Sequence, residues 1–196
     1  MKYLEKYKLF ENNEETFSEK ELAFAIIQND YRKIQRYIDS GGDVNLICLK
    51  YSLLERAINQ NKYKIAKMLL DNGAIINNDE IIFESLKSKP KMLKYLIKHD
   101  IDVNKKNDNY YKQTPLIYLS LYTVTNKLQK MKLLIDADAD WNILDSSGKD
   151  FIFYLHKPLL NNLKKTYPEK YENYLKLKDK YLRDFLKNKK IKDFNV

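Results

Sequence analysis

The chain has 196 residues, 44% of them hydrophobic, and a formal net charge of +9. This length is sufficient for one domain with a continuous core, and the apolar content excludes a wholly disordered protein. Four glycines and four prolines are too few for a turn-rich all-β protein, and the positive charge suits acidic proteins, nucleic acid or anionic membranes as partners.

The chain begins with a polar segment that we expect to form an arm or a short helix over residues 1–17. It contains no apolar stretch ending in a small-residue cleavage site, so it is not typical of a secretory signal. The first well-defined helix is predicted from Ser18, because Glu21 follows three residues later and the two side chains can form a capping box. Apolar helical bodies then occupy residues 22–29 and 53–61.

Four related segments recur along the chain, and each one ends in asparagine. They read IQRYIDSGGDVN (34–45), IAKMLLDNGAIIN (65–77), LKYLIKHDIDVN (93–104) and MKLLIDADADWN (131–142). Each begins with apolar residues at helical spacing and continues into residues that can adopt the left-handed backbone that ends a helix. These residues are Gly41-Gly42, Gly73, Asp100 and Asp138. Such a recurrence is typical of stacked-repeat proteins, which present an extended surface and do not enclose a reaction centre.

A shorter helical pattern lies upstream of each segment, so the repeating unit is predicted to be helix, turn, helix, loop. The fourth unit opens with Gln113-Thr114-Pro115-Leu116, in which a capping residue precedes a proline at the first helical position. With Gly42-Asp43-Val44-Asn45, residues 66–70 and the turn at 145–150, this pattern resembles the ankyrin repeat family.

The resemblance implies an all-α ankyrin-repeat solenoid of about five helix-turn-helix units over residues 18–165. The implied units are about 18–45, 46–77, 78–104, 105–142 and 143–165. A solenoid needs a cap that covers the core of its last repeat. We therefore expect a capping helix in the basic C-terminal segment, residues 166–196.

Two departures from the family pattern are expected to make the surface uneven. Only Asn78 separates Asn77 from the next predicted helix, so the third repeat should lack its projecting hairpin. The loop at 105–113 is long and carries two adjacent tyrosines, and the stretch 121–126 holds about three extra residues. We expect a notch beside an enlarged finger.

In the ankyrin family the partner usually lies along the hairpin tips and the exposed faces of the first helices, and the resemblance implies a non-enzymatic protein-interaction module. Carried over by position, the candidate partner-binding residues are Gln28, Lys50, Asn59, Gln60, Lys87, Tyr110, Tyr111, Lys112, Tyr122 and Lys149. Tyr110 and Tyr111 are expected to be anchors, because aromatic side chains carry much of the energy of such interfaces. The alternative is that they pack within their own loop. An inhibitor, immunity protein, effector or scaffold would each fit, and the oligomeric state is open.

No combination of residues is typical of a catalytic, cofactor or metal site. His99 and His156 lie in different repeats, and the four glycines form no phosphate-binding loop. The acidic run at 136–140 lacks the glycine and the glutamate that a calcium loop requires. Cys48 is the only cysteine, which favours a reducing compartment, and we expect a cytoplasmic protein. Its side chain is expected to be partly buried, with a reactive thiol as the alternative.

Positive charge is concentrated near the C-terminus, where residues 157–193 hold 12 Lys or Arg and 5 Asp or Glu. Apolar residues at helical spacing predict an amphipathic helix from about 168 to 189. Its charge favours an acidic protein partner through electrostatic steering. The alternative is a nucleic-acid-associated or anionic-membrane-associated protein acting through this helix. The chain has only 4 arginines, which weakens the nucleic-acid alternative.

Overall fold

The computed structural model describes residues 17–76, 81–109 and 111–193, with side chains described as far as residue 184. This part of the chain is mostly helical, as an all-α fold requires. The α-helices are α1 (Glu19–Gln28), α2 (Tyr31–Asp39), α3 (Leu53–Asn59), α4 (Tyr63–Asp71), α5 (Ile81–Lys87), α6 (Pro90–Ile97), α7 (Pro115–Leu121), α8 (Lys127–Asp136), α9 (Lys157–Thr166) and α10 (Pro168–Asp193). The other elements are the strands β1 (Ile47–Cys48) and β2 (Tyr51–Ser52) and the 3-10 helix η1 (Ile152–Tyr154).

The helices begin where local capping chemistry predicts. Ser18 caps α1 and forms a capping box with Glu21, and Thr114 caps α7 just ahead of Pro115, so both predictions are confirmed. A second capping box joins Ser52 to Glu55 at the start of α3, and the sequence analysis did not identify it. These caps satisfy backbone N–H groups that have no partner inside the helix.

The predicted helix-ending residues adopt left-handed backbone. The φ angles are 83° at Gly41, 88° at Gly73, 57° at Asp100 and 60° at Asp138. Gly42 is needed for a different reason, because a Cβ built there would lie 2.3 Å from the ring of Tyr37. That ring is buried, so the glycine allows the chain to cross it closely.

The chain divides into two compact units, Met1–Ser85 and Leu86–Val196. In the first unit α1 packs on α2 and α3, while α4 packs on α3 and α2. Successive first helices and successive second helices are therefore in contact. Apolar side chains such as Leu22, Ile26 and Leu53 are fully buried between them.

The strands β1 and β2 form an antiparallel hairpin ahead of α3. Leu49 and Lys50 form its turn with positive φ angles of 48° and 87°. Cys48 is fully buried beneath it, where burial raises the pKa of the thiol. The environment of Cys48 is therefore that of a packed apolar residue, which does not fit the reactive-thiol alternative.

The asparagines that end the repeated segments link one repeat to the next. The Asn45 side-chain oxygen accepts a hydrogen bond from the Ile75 N–H at 2.8 Å. The Asn104 side-chain oxygen accepts one from the Asp140 N–H, also at 2.8 Å. In both cases the donor lies two residues before the next asparagine of the series. We call these two bonds the asparagine ladder.

We expect Asn104→Ala to lower the free energy of unfolding by about 1 kcal/mol, because the Asp140 N–H loses its acceptor. Asn142→Ala is the matched control. Asn142 ends the same motif, but its side-chain oxygen has no hydrogen-bond donor among the described residues. Urea denaturation followed by circular dichroism measures both variants. Equal losses for the two would show that the ladder bond contributes nothing beyond the asparagine's local turn.

In the second unit α8 packs on α6 and α7, α7 packs on η1, and α9 packs on α10. A loop of five residues, 122–126, joins α7 to α8, whereas two residues join α1 to α2. The predicted insertion is therefore present. The expected absence of a hairpin in the third repeat falls on residues 77–80, which lie outside the described residues.

The helix α10 begins at Pro168 and is held to the preceding helices by polar contacts. The Tyr167 hydroxyl donates to the Asp136 carboxylate at 2.7 Å. Lys170 donates to the Ile135 carbonyl at 3.0 Å and forms an ion pair with Asp138. The Tyr174 hydroxyl donates to Asp150 at 3.1 Å.

Trp141 is buried and contacts the rings of Phe151, Tyr167 and Tyr174. It packs inside the molecule. The acidic residues near it have structural partners: Asp136 and Asp138 hold α10, and Asp140 accepts hydrogen bonds from Asn142. The run at 136–140 is therefore a structured helix end.

Lys130 is fully buried, which the sequence did not predict. Its ammonium nitrogen donates to the Leu86 carbonyl at 2.6 Å, and desolvation by burial lowers its pKa. The position on α8 explains the burial, because Lys130 is one turn from Leu134 and lies on the same apolar face.

Candidate functional site

Two loops of the second unit are folded by short polar contacts. In the first, 105–113, the Asn107 N–H donates to the Gln113 carbonyl at 3.0 Å. The Asn107 side chain in turn accepts from the Asn109 N–H at 2.9 Å. Tyr111 and Lys112 follow with positive φ angles of 51° and 54°. The described residues of this loop therefore form a compact turn, and the Tyr111 side chain is exposed.

The second loop, 144–150, is organised by one carboxylate. One oxygen of Asp145 accepts from the Ser147 N–H at 2.8 Å and from the Lys149 N–H at 3.1 Å. Its other oxygen accepts from the Tyr154 hydroxyl at 2.7 Å. Gly148 completes the turn with a φ of 71°. The carboxylate thus fixes both the loop and the tyrosine ring that follows it.

The two loops are joined directly. The Ser146 N–H donates to the Tyr111 carbonyl at 2.9 Å, and the Lys106 ammonium donates to the Leu144 carbonyl at 2.9 Å. Because the first bond joins the two backbones and the second joins a side chain of one loop to the backbone of the other, the positions of Tyr111 and Asp145 are coupled.

A cleft of about 340 Å³ lies beside these loops. It is lined by Tyr111, Gln113, Leu121, Tyr122, Asp145, Ser147 and Tyr154. The end of α7 supplies the apolar wall, and η1 supplies Tyr154. The Tyr111 side chain is 69% exposed, so it is not packed within its own loop. Tyr122 stacks on Tyr118 with a centroid distance of 4.5 Å and remains 37% exposed.

The negative charge of Asp145 in the cleft is stabilised by hydrogen bonds. Burial opposes the ionisation of Asp145, but the Tyr154 hydroxyl, two backbone N–H groups and the charge of Lys149 outweigh it and lower its pKa. Asp145 is therefore a carboxylate at neutral pH. Burial, the hydrogen bond to Asp145 and its charge raise the pKa of Tyr154 to about 12, so Tyr154 stays a neutral donor.

Gln113 is the unusual residue of the lining. It is 4% exposed, and its side-chain oxygen has no hydrogen-bond donor within residues 17–76, 81–109 and 111–193. A buried acceptor without a donor costs on the order of 1–3 kcal/mol. An occupant that brings an N–H group into the cleft would remove that cost.

The structure brings together two of the predicted partner-binding residues, Tyr111 and Tyr122, in this cleft. Lys112 is exposed beside them. Lys149 is half-buried, with its ammonium 4.2 Å from the centroid of the Phe153 ring, so it packs against its own loop. Tyr110 lies outside the described residues.

The other described candidates are exposed. Lys50 is at the hairpin turn, and Gln28, Asn59, Gln60 and Lys87 are at or just beyond helix ends. Their roles stay predictions. The contact residues predicted from the sequence did not include Gln113, Leu121, Asp145, Ser147 or Tyr154. The turn pattern at 145–150 was recognised, but nothing in it points to a tyrosine four residues further on.

Within the described part of the chain, no helix has the combination of length and apolar character that a membrane span needs. The same residues contain no group of three or more His, Cys, Asp or Glu side chains placed to hold a metal ion.

The chain is similar in sequence to a viral protein. A protein of Fowlpox virus (strain NVSL) that carries the name ankyrin repeat protein FPV034 is 31% identical to this chain over 128 residues. The aligned region covers 63% of this chain and 30% of that protein, so the chain spans less than a third of the relative's length. No protein-family model matches the chain.

Proposed function

We propose that the chain is an ankyrin repeat solenoid of about five units, closed by α10, that binds another protein and has no chemistry of its own. The similarity to a protein named for ankyrin repeats supports an interaction module in general. The observation that carries the proposal is the pair of exposed tyrosine rings, Tyr111 and Tyr122, on one cleft between two coupled loops.

Exposed aromatic rings on a fixed backbone are suited to protein recognition. They offer large contact areas with few rotatable bonds to immobilise, and such residues dominate the binding energy of interfaces. The hydrogen bonds between the two loops hold the Tyr111 backbone before any partner arrives, which reduces the ordering cost of association.

The net charge of +9 supports an acidic partner, because long-range attraction raises the association rate. The single cysteine supports a reducing compartment, and the proposal places the protein in the cytoplasm. Whether it serves as an inhibitor, immunity protein, effector or scaffold depends on that partner.

Binding of nucleic acid or anionic membrane through α10 is the less favoured alternative. Three cations near this helix already have partners in the chain: Lys170 pairs with Asp138, Lys178 pairs with Asp150, and Lys164 lies over the Tyr171 ring. These contacts dock the helix and reduce the charge that it offers to a polyanion.

The proposal is tested by site-specific cross-linking in cells of the source organism. A photoreactive phenylalanine analogue at position 111 or 122 should capture the same protein. The analogue at position 181, which replaces an exposed tyrosine of α10, should not. Different or no products at 111 and 122 would contradict the proposal, and cross-links to DNA or lipid at 181 would favour the alternative.

With the captured partner in hand, Tyr111→Asn with Tyr122→Ala should weaken binding by about 2 kcal/mol, or roughly 30-fold, in calorimetric titration. Asparagine is chosen at position 111 because it tolerates the positive φ there. Tyr181→Ala is the control and should bind like the parent protein. Unchanged affinity of the double variant, with an unchanged circular dichroism spectrum, would remove this cleft from the interface.

A further inference from the structure

The cleft has a charge opposite to that of the protein. Among the described residues, its lining contains one carboxylate, Asp145, and no lysine or arginine, although the chain carries a net charge of +9. The neighbouring Lys149 is not part of this lining. Its ammonium lies over the Phe153 and Tyr154 rings, 4.2 Å and 5.8 Å from their centroids, and its charge contributes to the lowered pKa of Asp145. A cationic group is therefore the charged occupant that this lining favours.

Two side chains of the lining have an acceptor position with no donor among the described residues. The Gln113 side-chain oxygen has no donor among the described residues. Asp145 accepts two hydrogen bonds at one oxygen and one at the other. A carboxylate has about four acceptor positions, so one remains on the oxygen that binds Tyr154. An occupant that satisfies both acceptors must present at least two N–H groups.

Three aromatic rings complete the lining, from Tyr111, Tyr122 and Tyr154. A planar cation can stack on such rings. Arginine combines this planar face with several N–H donors in a fixed fork, whereas lysine presents a compact ammonium without a face. The rings of Tyr111 and Tyr122 are exposed, so a side chain can enter the cleft from solvent.

We propose that this cleft is an arginine-binding pocket, in which a guanidinium group of the partner protein stacks on the tyrosine rings and donates hydrogen bonds to Gln113 and Asp145. This inference rests on the proposed function and adds the chemistry of the partner residue to it. An acidic partner is compatible with it, since the overall charge acts at long range and the pocket reads a single side chain.

The test uses the full chain and three small probes: N-acetyl-arginine amide, N-acetyl-citrulline amide and N-acetyl-lysine amide. Citrulline keeps the length and planar end of arginine but has no charge. In ¹⁵N-resolved NMR titrations, the arginine probe should shift the resonances of Tyr111, Gln113 and Asp145 with a dissociation constant on the order of 1 mM. Citrulline and lysine should each bind at least about tenfold more weakly, a difference of ~1.4 kcal/mol.

Variants at Gln113 give an independent readout. Gln113→Glu adds a second carboxylate in nearly the same shape and should tighten arginine binding several-fold, while Gln113→Met should weaken it to a similar extent. Tyr181→Ala should leave it unchanged. If the Gln113 variants fail to fold, the comparison of arginine with citrulline in the parent protein still decides.

Equal shifts from arginine and citrulline, or no shifts of the lining at roughly ten times the expected dissociation constant, would overturn the arginine assignment. That result leaves the proposed function standing if positions 111 and 122 still cross-link to one protein. Loss of those cross-links while the probe still binds would instead contradict the proposed function alone.

Discussion

Replacing Lys130 with glutamate is expected to lower the free energy of unfolding by at least about 3 kcal/mol, because an uncompensated charge would be buried. Lys130 is fully buried, and its nitrogen donates to the Leu86 carbonyl. A carboxylate at position 130 would lie beside the Leu86 carbonyl oxygen, and neither group could donate a hydrogen bond to the other. The change would be measured by urea denaturation, with the exposed Gln129→Glu on the same helix as the control. A loss below about 1 kcal/mol would contradict this account.

Lys130→Met separates the effect of the charge from that of the buried chain. Methionine fills similar space, so we expect a stability within about 1 kcal/mol of the parent at pH 7. Burial lowers the pKa of Lys130 in the folded state. Between that lowered pKa and about 10.4, the unfolded chain holds more protons, and the lysine protein gains stability as the pH rises. The free energy of unfolding of the parent should therefore rise relative to that of the methionine variant as the pH increases from the lowered pKa to about pH 10.

The second large effect is expected at Asp150. It is 3% exposed and accepts from the Phe153 N–H and the Tyr174 hydroxyl, and it pairs with Lys178. Asp150→Ala leaves the buried Tyr174 hydroxyl without its acceptor and removes the ion-pair partner of Lys178. We expect a loss of about 2–4 kcal/mol, with faster hydrogen exchange across α10.

Asp138→Asn is the comparison for Asp150. The Asp138 side chain is 92% exposed and also pairs with a lysine of α10, Lys170. Asparagine tolerates the left-handed backbone at this position, which alanine would strain. Since exposed ion pairs contribute little, the expected loss is below about 1 kcal/mol. Comparable losses at the two aspartates would mean that burial does not set the strength of the α10 contacts.

The features that could be predicted from the sequence are those encoded by neighbouring residues. Ser18 with Glu21, and Thr114 with Pro115, carry the capping chemistry of α1 and α7 within a few positions. Asp100 and Asp138 were expected to adopt left-handed backbone because they occupy the position of Gly73 in the repeated segments. Aligning the repeated segments identified helix-ending positions that no single segment identifies.

The remaining features depend on contacts between distant residues. The burial of Lys130 was not predicted, although its spacing from Leu134 puts it on the buried face of α8. Gln113 was noticed only as a neighbour of the α7 cap, and its missing donor can be seen only once the cleft exists. The Tyr154–Asp145 bond joins two elements whose approach no local pattern specifies.

The asparagine ladder tolerates intervening segments of different length and sequence. Its donors are main-chain N–H groups, which every residue except proline provides. The same kind of bond spans 30 residues at Asn45 and 36 at Asn104, so it forms even where the intervening segment is longer. The bond therefore sets no requirement on the length or the composition of the segment that it spans.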